Sequence, residues 1–192
     1  MGGIMFYIQV NDDIELRTLE NKNAKELYKL IDDNRLNLRE WLPWVGGTTS
    51  VEIIKRFIKS SKKQQADNNG FQAGIFYKGK IAGIVGLHGI DWSNKKTSLG
   101  YWLAKEYQGN GIMTQCCSAI INHVINELCL NRVEIRAAEF NKKSRAVPER
   151  LGFVSEGISR QVEWLYDRYV DHVIYAILAG EWEKIKNQKR EE

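Results

Sequence analysis

The sequence predicts one α/β domain built on a mixed, mostly antiparallel sheet, and three observations predict it. Apolar residues recur at helical spacing over 23–38 and again over 112–128. Two apolar runs, 71–77 and 81–87, flank Lys78-Gly79-Lys80 as strands flank a hairpin turn. From 97 onward the signals alternate as strand, helix, strand, helix, strand. The 192 residues suit a single domain with a full-sized core. Its expected extent is 1–182, with a charged tail over 183–192.

Taken in order, 6–10 and 14–19 read as strands split by the turn cluster Asn11-Asp12-Asp13. Ala24, Leu27, Leu30, Ile31 and Leu38 place one helix over about 23–38. Trp41-Leu42-Pro43-Trp44 follows, and Gly46-Gly47 ends it. Ser50 fits the N-cap of a second helix that carries Ile53, Ile54, Phe57 and Ile58 on one face. After the hairpin, 97–103 is another strand, and Gln108-Gly109-Asn110-Gly111 joins it to the longest helix, 112–128. That helix has a stripe that includes Met113, Cys117, Ile120, Ile121 and Val124. Val133, Ile135 and Ala137 alternate through a strand at 132–138. Asn141 caps a short helix ending at Leu151, where Gly152 supplies the left-handed terminator. Strands at 158–165 and 170–178 flank Tyr166-Asp167-Arg168, and the polar tail from Glu183 is expected to fray.

Composition narrows the function classes. Apolar residues at 43% and only two prolines exclude disordered or fibrous material. A net charge of +4 without long basic runs does not require nucleic acid, although it suits a multiply phosphorylated ligand. Cys116, Cys117 and Cys129 are odd in number, two are adjacent, and none has metal-site spacing. They read as core or near-core thiols in a reducing compartment, and no metal is implied. Met1-Gly2-Gly3-Ile4-Met5-Phe6-Tyr7 lacks the regions of a secretory signal, and Phe6 stands where a myristoylated chain carries Ser or Thr. No apolar run reaches spanning length. The expectation is a cytoplasmic protein with no membrane partner.

The glycine segment carries the chemistry. Glycines let the backbone approach a ligand and adopt conformations that side chains forbid. A helix beginning just after them presents free N–H groups and the positive end of its dipole. Strand, Gln108-Gly109-Asn110-Gly111, then helix is therefore an order that suits a pyrophosphate. A plain tight turn would look the same. No Gly-Lys-Ser/Thr follows, and the third glycine of a dinucleotide fingerprint is missing.

Gln108-x-x-Gly111-x-Met113 resembles the Gln/Arg-x-x-Gly-x-Gly/Ala signature of the GCN5-related N-acetyltransferases (GNAT). Met113 stands where Gly or Ala is commoner. Within Gln-Gly-x-Gly-Ile-Met-Thr, that departure is similar to the RimJ/RimL-type ribosomal-protein N-terminal acetyltransferases. Further matches to that branch fall in order between about residues 14 and 178. They are Asn34-Arg35 with Leu38 and Trp41-Leu42-Pro43-Trp44, then Leu99-Gly100-Tyr101-Trp102-Leu103, then Asn131-Arg132-Val133-Glu134-Ile135-Arg136. Asn141-x-x-Ser144 and Glu149-Arg150-Leu151-Gly152-Phe153 complete the set.

The resemblance implies a GNAT fold, with helices on both sheet faces and strands 97–103 and 132–138 splayed apart at the cofactor. It implies acetyl-CoA, with Gln108, Gly109, Asn110, Gly111, Ile112, Met113 and Thr114 at the pyrophosphate. Tyr101, Trp102 and Leu103 would lie along the pantetheine arm and offer backbone groups, as an added strand requires. Asn141 reads as an N-cap, and the resemblance adds contact with that arm. Ser144 reads as a locally bonded first-turn residue, and by resemblance as the proton donor to the departing sulfur. If the helix runs through Pro148, the Ser144 carbonyl loses its i+4 donor. Glu163 reads as an outward strand carboxylate, and by resemblance as the base that deprotonates the acceptor amine, directly or through water. Its neighbours Val162, Trp164 and Leu165 suggest an apolar setting that raises its pKa. Strand alternation puts Gln161 and Glu163 on one face. Direct attack on a thioester needs alignment and no covalent enzyme intermediate, so Cys116 and Cys117 are not nucleophiles.

The acceptor is the open question. Of Trp41 and Trp44, one is expected to pack the helices and the other to line the acceptor groove, with the choice open. His88 and His123 read as ordinary core or surface residues. The branch implies the N-terminal α-amine of a ribosomal protein, and also a homodimer. A polyamine or aminoglycoside is the rival acceptor, and a non-catalytic acyl-CoA sensor the rival of another class. A carboxylate-rich pocket would favour polycations. Near the tryptophans only Asp32, Asp33 and Glu40 are acidic, which favours a peptide.

Overall fold

The computed structural model describes residues 6–191, with side chains over 6–188. The expectations for Met1–Met5 lie outside the described residues. Eight strands form one sheet in the order β1-β2-β3-β4-β5-β6-β8-β7. They are β1 (Tyr7–Gln9), β2 (Ile14–Thr18), β3 (Gln72–Tyr77), β4 (Lys80–Asp91), β5 (Lys96–Leu103), β6 (Arg132–Ala138), β7 (Val154–Leu165) and β8 (Arg168–Leu178). Among the described residues six α-helices accompany them: α1 (Ala24–Asp33), α2 (Arg35–Arg39), α3 (Val51–Ala66), α4 (Ile112–Asn126), α5 (Lys142–Arg150) and α6 (Ala179–Glu191). The strands pair antiparallel except β5 with β6. The mixed, mostly antiparallel α/β architecture is the one expected.

Local chemistry accounts for the elements. Lys78 and Gly79 both take positive φ, 49° and 79°, as a two-residue hairpin turn between β3 and β4 needs. In β4, Ile81 through Leu87 are all buried, because helices cover both faces of the sheet at its centre. One apolar core joins β1–β6 and β8 to α4, α5 and α6, and a second joins the opposite face to α1, α2 and α3.

Three differences from the expected elements have physical causes. The helix expected over 23–38 breaks at Asn34. There the side-chain Nδ2 donates to Leu30 O at 3.1 Å and Oδ1 accepts from Lys105 N at 2.8 Å, so the amide leaves the helix to serve a distant loop. The strand expected over 158–165 begins earlier, at Val154. The tail expected to fray is helical: Trp182 is buried, and its Nε1 donates to Asn122 Oδ1 at 2.8 Å.

One feature of the sheet positions the site. β5 pairs with β6 only through Lys96↔Arg132, Thr97↔Val133 and Ser98↔Glu134. β5 stays paired to β4 as far as Leu103, and β6 to β8 as far as Ala138. From Leu99 and Ile135 onward the two strands part, leaving backbone groups on facing edges.

Candidate active site

The gap between β5 and β6 ends at the glycine loop. Gly109 and Gly111 take φ of 83° and 71°, in the left-handed region where a side chain is strained. Gly111 is the N-cap of α4, so the N–H groups of Ile112, Met113 and Thr114 start the helix without helical partners. The side chains of Ile112 and Met113 are buried in the core, so only their backbone faces the loop. Gln108 Nε2 donates to Leu103 O at 2.9 Å and binds the loop to the end of β5. No protein atom lies within 4 Å of a Cβ placed on Gly109, so the space above the loop is open.

Two basic residues that were not picked out from the sequence flank this loop. Lys143 Nζ lies 3.2 Å from Gln108 Oε1, and Arg150 Nη1 donates to Thr114 Oγ1 at 3.0 Å. Both sit on α5; Arg150 falls in the matched run Glu149-Arg150-Leu151-Gly152-Phe153 but was given no role there, and nothing local marked Lys143. Free N–H groups, a helix N-terminus and two cations fit a diphosphate, and the parted edges of β5 and β6 fit an extended amide-bearing arm.

Next to the gap lies a cavity of about 840 Å³, lined by Trp41, Trp44, Tyr101, Trp102, Asn141, Ser144, Glu163 and His172, among others. The structure thus brings together around one cavity every expected site residue outside the glycine loop, except Leu103, which packs in the core. α3 supplies Ile53, Ile54 and Phe57 to the lining. Both tryptophans line the cavity, contrary to the expected division of roles. Trp44 lies 6.0 Å from Trp102 at 51°. The tryptophan segment is held from two sides. Arg35 donates to Val45 O and Thr48 O, each at 2.7 Å. Tyr166, in the β7–β8 turn, donates to Leu42 O at 2.8 Å and accepts from Gly46 N at 3.2 Å.

Asn141 is the N-cap of α5, and its Oδ1 accepts from Ser144 N at 3.1 Å. The helix runs through Pro148, so the Ser144 carbonyl has no helical donor, and the Tyr101 hydroxyl donates to it at 2.9 Å. Burial pushes the Tyr101 phenol well above its usual value, with Cys117 adding to the shift, so it remains protonated. The Ser144 hydroxyl has no hydrogen-bond partner among the described residues, in place of the local bond its position suggested.

Glu163 Oε2 lies 3.3 Å from His172 Nε2, a residue on β8 with a side chain 16% exposed against 31% for Glu163. Of the apolar sequence neighbours Val162, Trp164 and Leu165, only Leu165 is buried. Val162 and Trp164 are exposed, and Trp164 packs edge-on against Tyr169 at 4.8 Å. The register of β7 shifts between Ser159 and Glu163, where Gln161 takes φ of 50° and donates its N–H to Asp171 Oδ1 at 2.7 Å. That bulge interrupts the simple alternation expected for Gln161 and Glu163.

His88 also lines the cavity, with its ring against Gly100, and burial lowers its pKa so that it is neutral near pH 7. Burial pushes the Cys116 thiol up to about 12 and raises Cys117 well above its usual value, so neither is a thiolate. Cys129, expected near the core, is exposed.

A sequence profile described as an acetyltransferase (GNAT) domain matches residues 13–154. The chain is 42% identical over 180 residues to the provisionally named ribosomal N-acetyltransferase YdaF of Bacillus subtilis (strain 168), which spans 93% of this chain and 98% of that protein. The microcin C7 self-immunity acetyltransferase MccE, solved with acetyl-CoA and AMP, is 34% identical with a TM-score of 0.86. That match covers 89% of this chain and 95% of the other. The ribosomal L7/L12 alpha-N-protein acetyltransferase RimL, solved with coenzyme A, is 29% identical with a TM-score of 0.87, over 90% of this chain and 98% of the other.

Proposed function

This chain belongs to the GNAT acetyltransferase family and uses acetyl-CoA as its acetyl donor, and from that premise we propose that its acceptor is the N-terminal α-amine of a ribosomal protein. One observation carries the choice of acceptor. Glu163 is the only carboxylate among the residues lining the cavity, and the rest of its wall is largely aromatic and aliphatic. A polyamine or aminoglycoside carries several positive charges and would need several carboxylates. A peptide terminus brings one. The names of YdaF and RimL, proteins similar along nearly their whole length, support the same reading. Such an acceptor puts the reaction in the cytoplasm.

Acetyl-CoA supplies the acetyl group as a thioester. Gln108, Gly109, Asn110, Gly111, Ile112, Met113 and Thr114 bind its diphosphate through backbone N–H groups, and Lys143 and Arg150 add charge. Tyr101, Trp102, Leu103 and Asn141 border the slot for the pantetheine arm. Glu163 attracts the ammonium and takes its proton, directly or through water, because a protonated amine has no lone pair with which to attack. Ser144 Oγ, without another partner, gives a proton to the sulfur as it leaves and regains one from the attacking nitrogen, which sheds its second proton as the amide forms. Trp41 and Trp44 wall the space for the first residues of the peptide.

A second reading has a specific observation behind it. Trp44 and Trp102 offer two aromatic walls inside the cavity, and MccE, 34% identical, was solved with AMP. A small amine linked to a nucleotide would use those walls.

The deciding experiment incubates purified protein with acetyl-CoA and a panel of peptides with ribosomal N-termini beginning Ser or Ala, polyamines, aminoglycosides and aminoacyl nucleotides. Mass spectrometry then finds the acetyl group. Acetyl on a peptide α-amine is expected. Acetylation confined to the small amines would overturn the peptide reading.

A further inference from the structure

Pro148 leaves a gap in the hydrogen bonding of α5, and the sheet fills it. Proline has no N–H, so the Ser144 carbonyl four residues earlier loses its helical donor. Tyr101 Oη, from β5, donates to that carbonyl at 2.9 Å. The Ser144 N–H is held separately by Asn141 Oδ1 at 3.1 Å. Both backbone groups of Ser144 are therefore fixed by named partners, while its Oγ is left without one beside the cavity.

The bond also spans the parted strands. β5 and β6 stop pairing at Ser98 and Glu134, and α5 follows β6 in the chain. Tyr101 lies past that point on β5, so its hydroxyl links one edge of the slot to the helix anchored at the other. Partly buried beside the core, the phenol has its pKa pushed well above the usual value and stays a protonated donor near neutral pH.

We propose that Tyr101 is a positioning residue for acetyl transfer: its hydroxyl replaces the donor that Pro148 removes, and so fixes the Ser144 hydroxyl at the slot between β5 and β6. This rests on the reading of Ser144 as proton donor to the sulfur. A carbonyl left without a donor at the first turn of α5 lets that turn shift, and proton transfer is sensitive to displacements well under a bond length.

Tyr101→Phe and Pro148→Ala, singly and together, form the test. Tyr101→Phe keeps the ring and is expected to lower kcat about tenfold, as loss of one hydrogen bond allows, with the KM for acetyl-CoA within about twofold. Pro148→Ala restores an N–H opposite the Ser144 carbonyl. Alone it is expected to stay within about twofold of the parent, since a carbonyl accepts two bonds. Combined with Tyr101→Phe it is expected to recover most of kcat. Tyr101→Phe added to Ser144→Ala should cost nothing more, because Tyr101 acts through Ser144. Amide exchange at Ser144 should quicken in Tyr101→Phe and slow again in the double variant, a readout that needs no acceptor.

An unchanged kcat in Tyr101→Phe, or a loss that Pro148→Ala does not restore, overturns the proposal. A full rate in Ser144→Ala removes the proton-donor reading instead. The bracing of Ser144 by Tyr101 is then decided by the exchange measurement, where unchanged exchange in Tyr101→Phe sinks it.

Discussion

Ser144 and Glu163 were picked out in the sequence through the family resemblance, and both line the cavity. What surrounds them was not legible there. His172 meets Glu163 across two strands whose register shifts at a bulge, and no spacing rule reports that. Pro148 announced a carbonyl without a donor, but the donor, Tyr101, lies 43 residues away. If Glu163 is the base, Glu163→Gln lowers kcat/KM by about 10²–10⁴ at neutral pH. The sign with pH follows from the acceptor. An α-amino group titrates near 7.7–8.0, so below that range the amine arrives protonated and the loss is largest, and above it the loss shrinks. A pH profile of both proteins checks this, and a ratio constant with pH would remove Glu163 as base. The cysteines give a simpler expectation. Native protein treated with iodoacetamide near pH 7.5 should be alkylated at Cys129, which is exposed, and not at Cys116 or Cys117, which burial keeps as thiols. Peptide mapping reads it directly.

Elements were predicted where periodicity ruled and missed where one polar side chain overruled it. Apolar spacing resumed at Leu38 after Asn34 and Arg35 and was read as one helix, yet Asn34 ends it because its amide is the partner of Lys105 N, just ahead of the glycine loop. That bond couples the junction of α1 and α2, ahead of the tryptophan segment, to the segment that leads into the proposed diphosphate site. Asn34→Ala leaves the Lys105 N–H without its partner and should cost about 1–3 kcal/mol of stability, measurable by urea unfolding. A change under about 0.5 kcal/mol would mean water replaces the amide. The glycine loop was legible as a turn, and its place between β5 and α4 is what supports the proposed diphosphate site. Gly111→Asp adds a side chain at φ of 71° and a negative charge where the helix would meet phosphate. Acetyl-CoA affinity should fall at least about a hundredfold by calorimetry while the fold persists; unchanged affinity would refute the loop assignment.

At the scale of the whole molecule, the order of strands and helices was legible, and the closing helix was not. The charged composition after Glu183 hid Trp182 and Ile185, which close the core beside α4. Trp182→Ala should therefore destabilise the protein by about 3–5 kcal/mol, as removal of a buried indole does, with a matching fall in the urea midpoint. A neutral result would make α6 a bystander. The parting of β5 and β6 has a consequence for how the protein comes undone. Three residue pairs are a narrow seam in the backbone ladder, so in hydrogen bonding β1–β5 and β6–β8 form two plates joined along one short edge, with one apolar core packed across both. Acetyl-CoA lying in the slot would act as the missing rungs, and at a hundred times its Kd would add about 2.7 kcal/mol to the folded state. Without it, amides on the two plates are expected to exchange as separate cooperative units; with it, they merge into one. The loaded enzyme is then the sturdier form, and each turnover briefly returns the protein to its looser state.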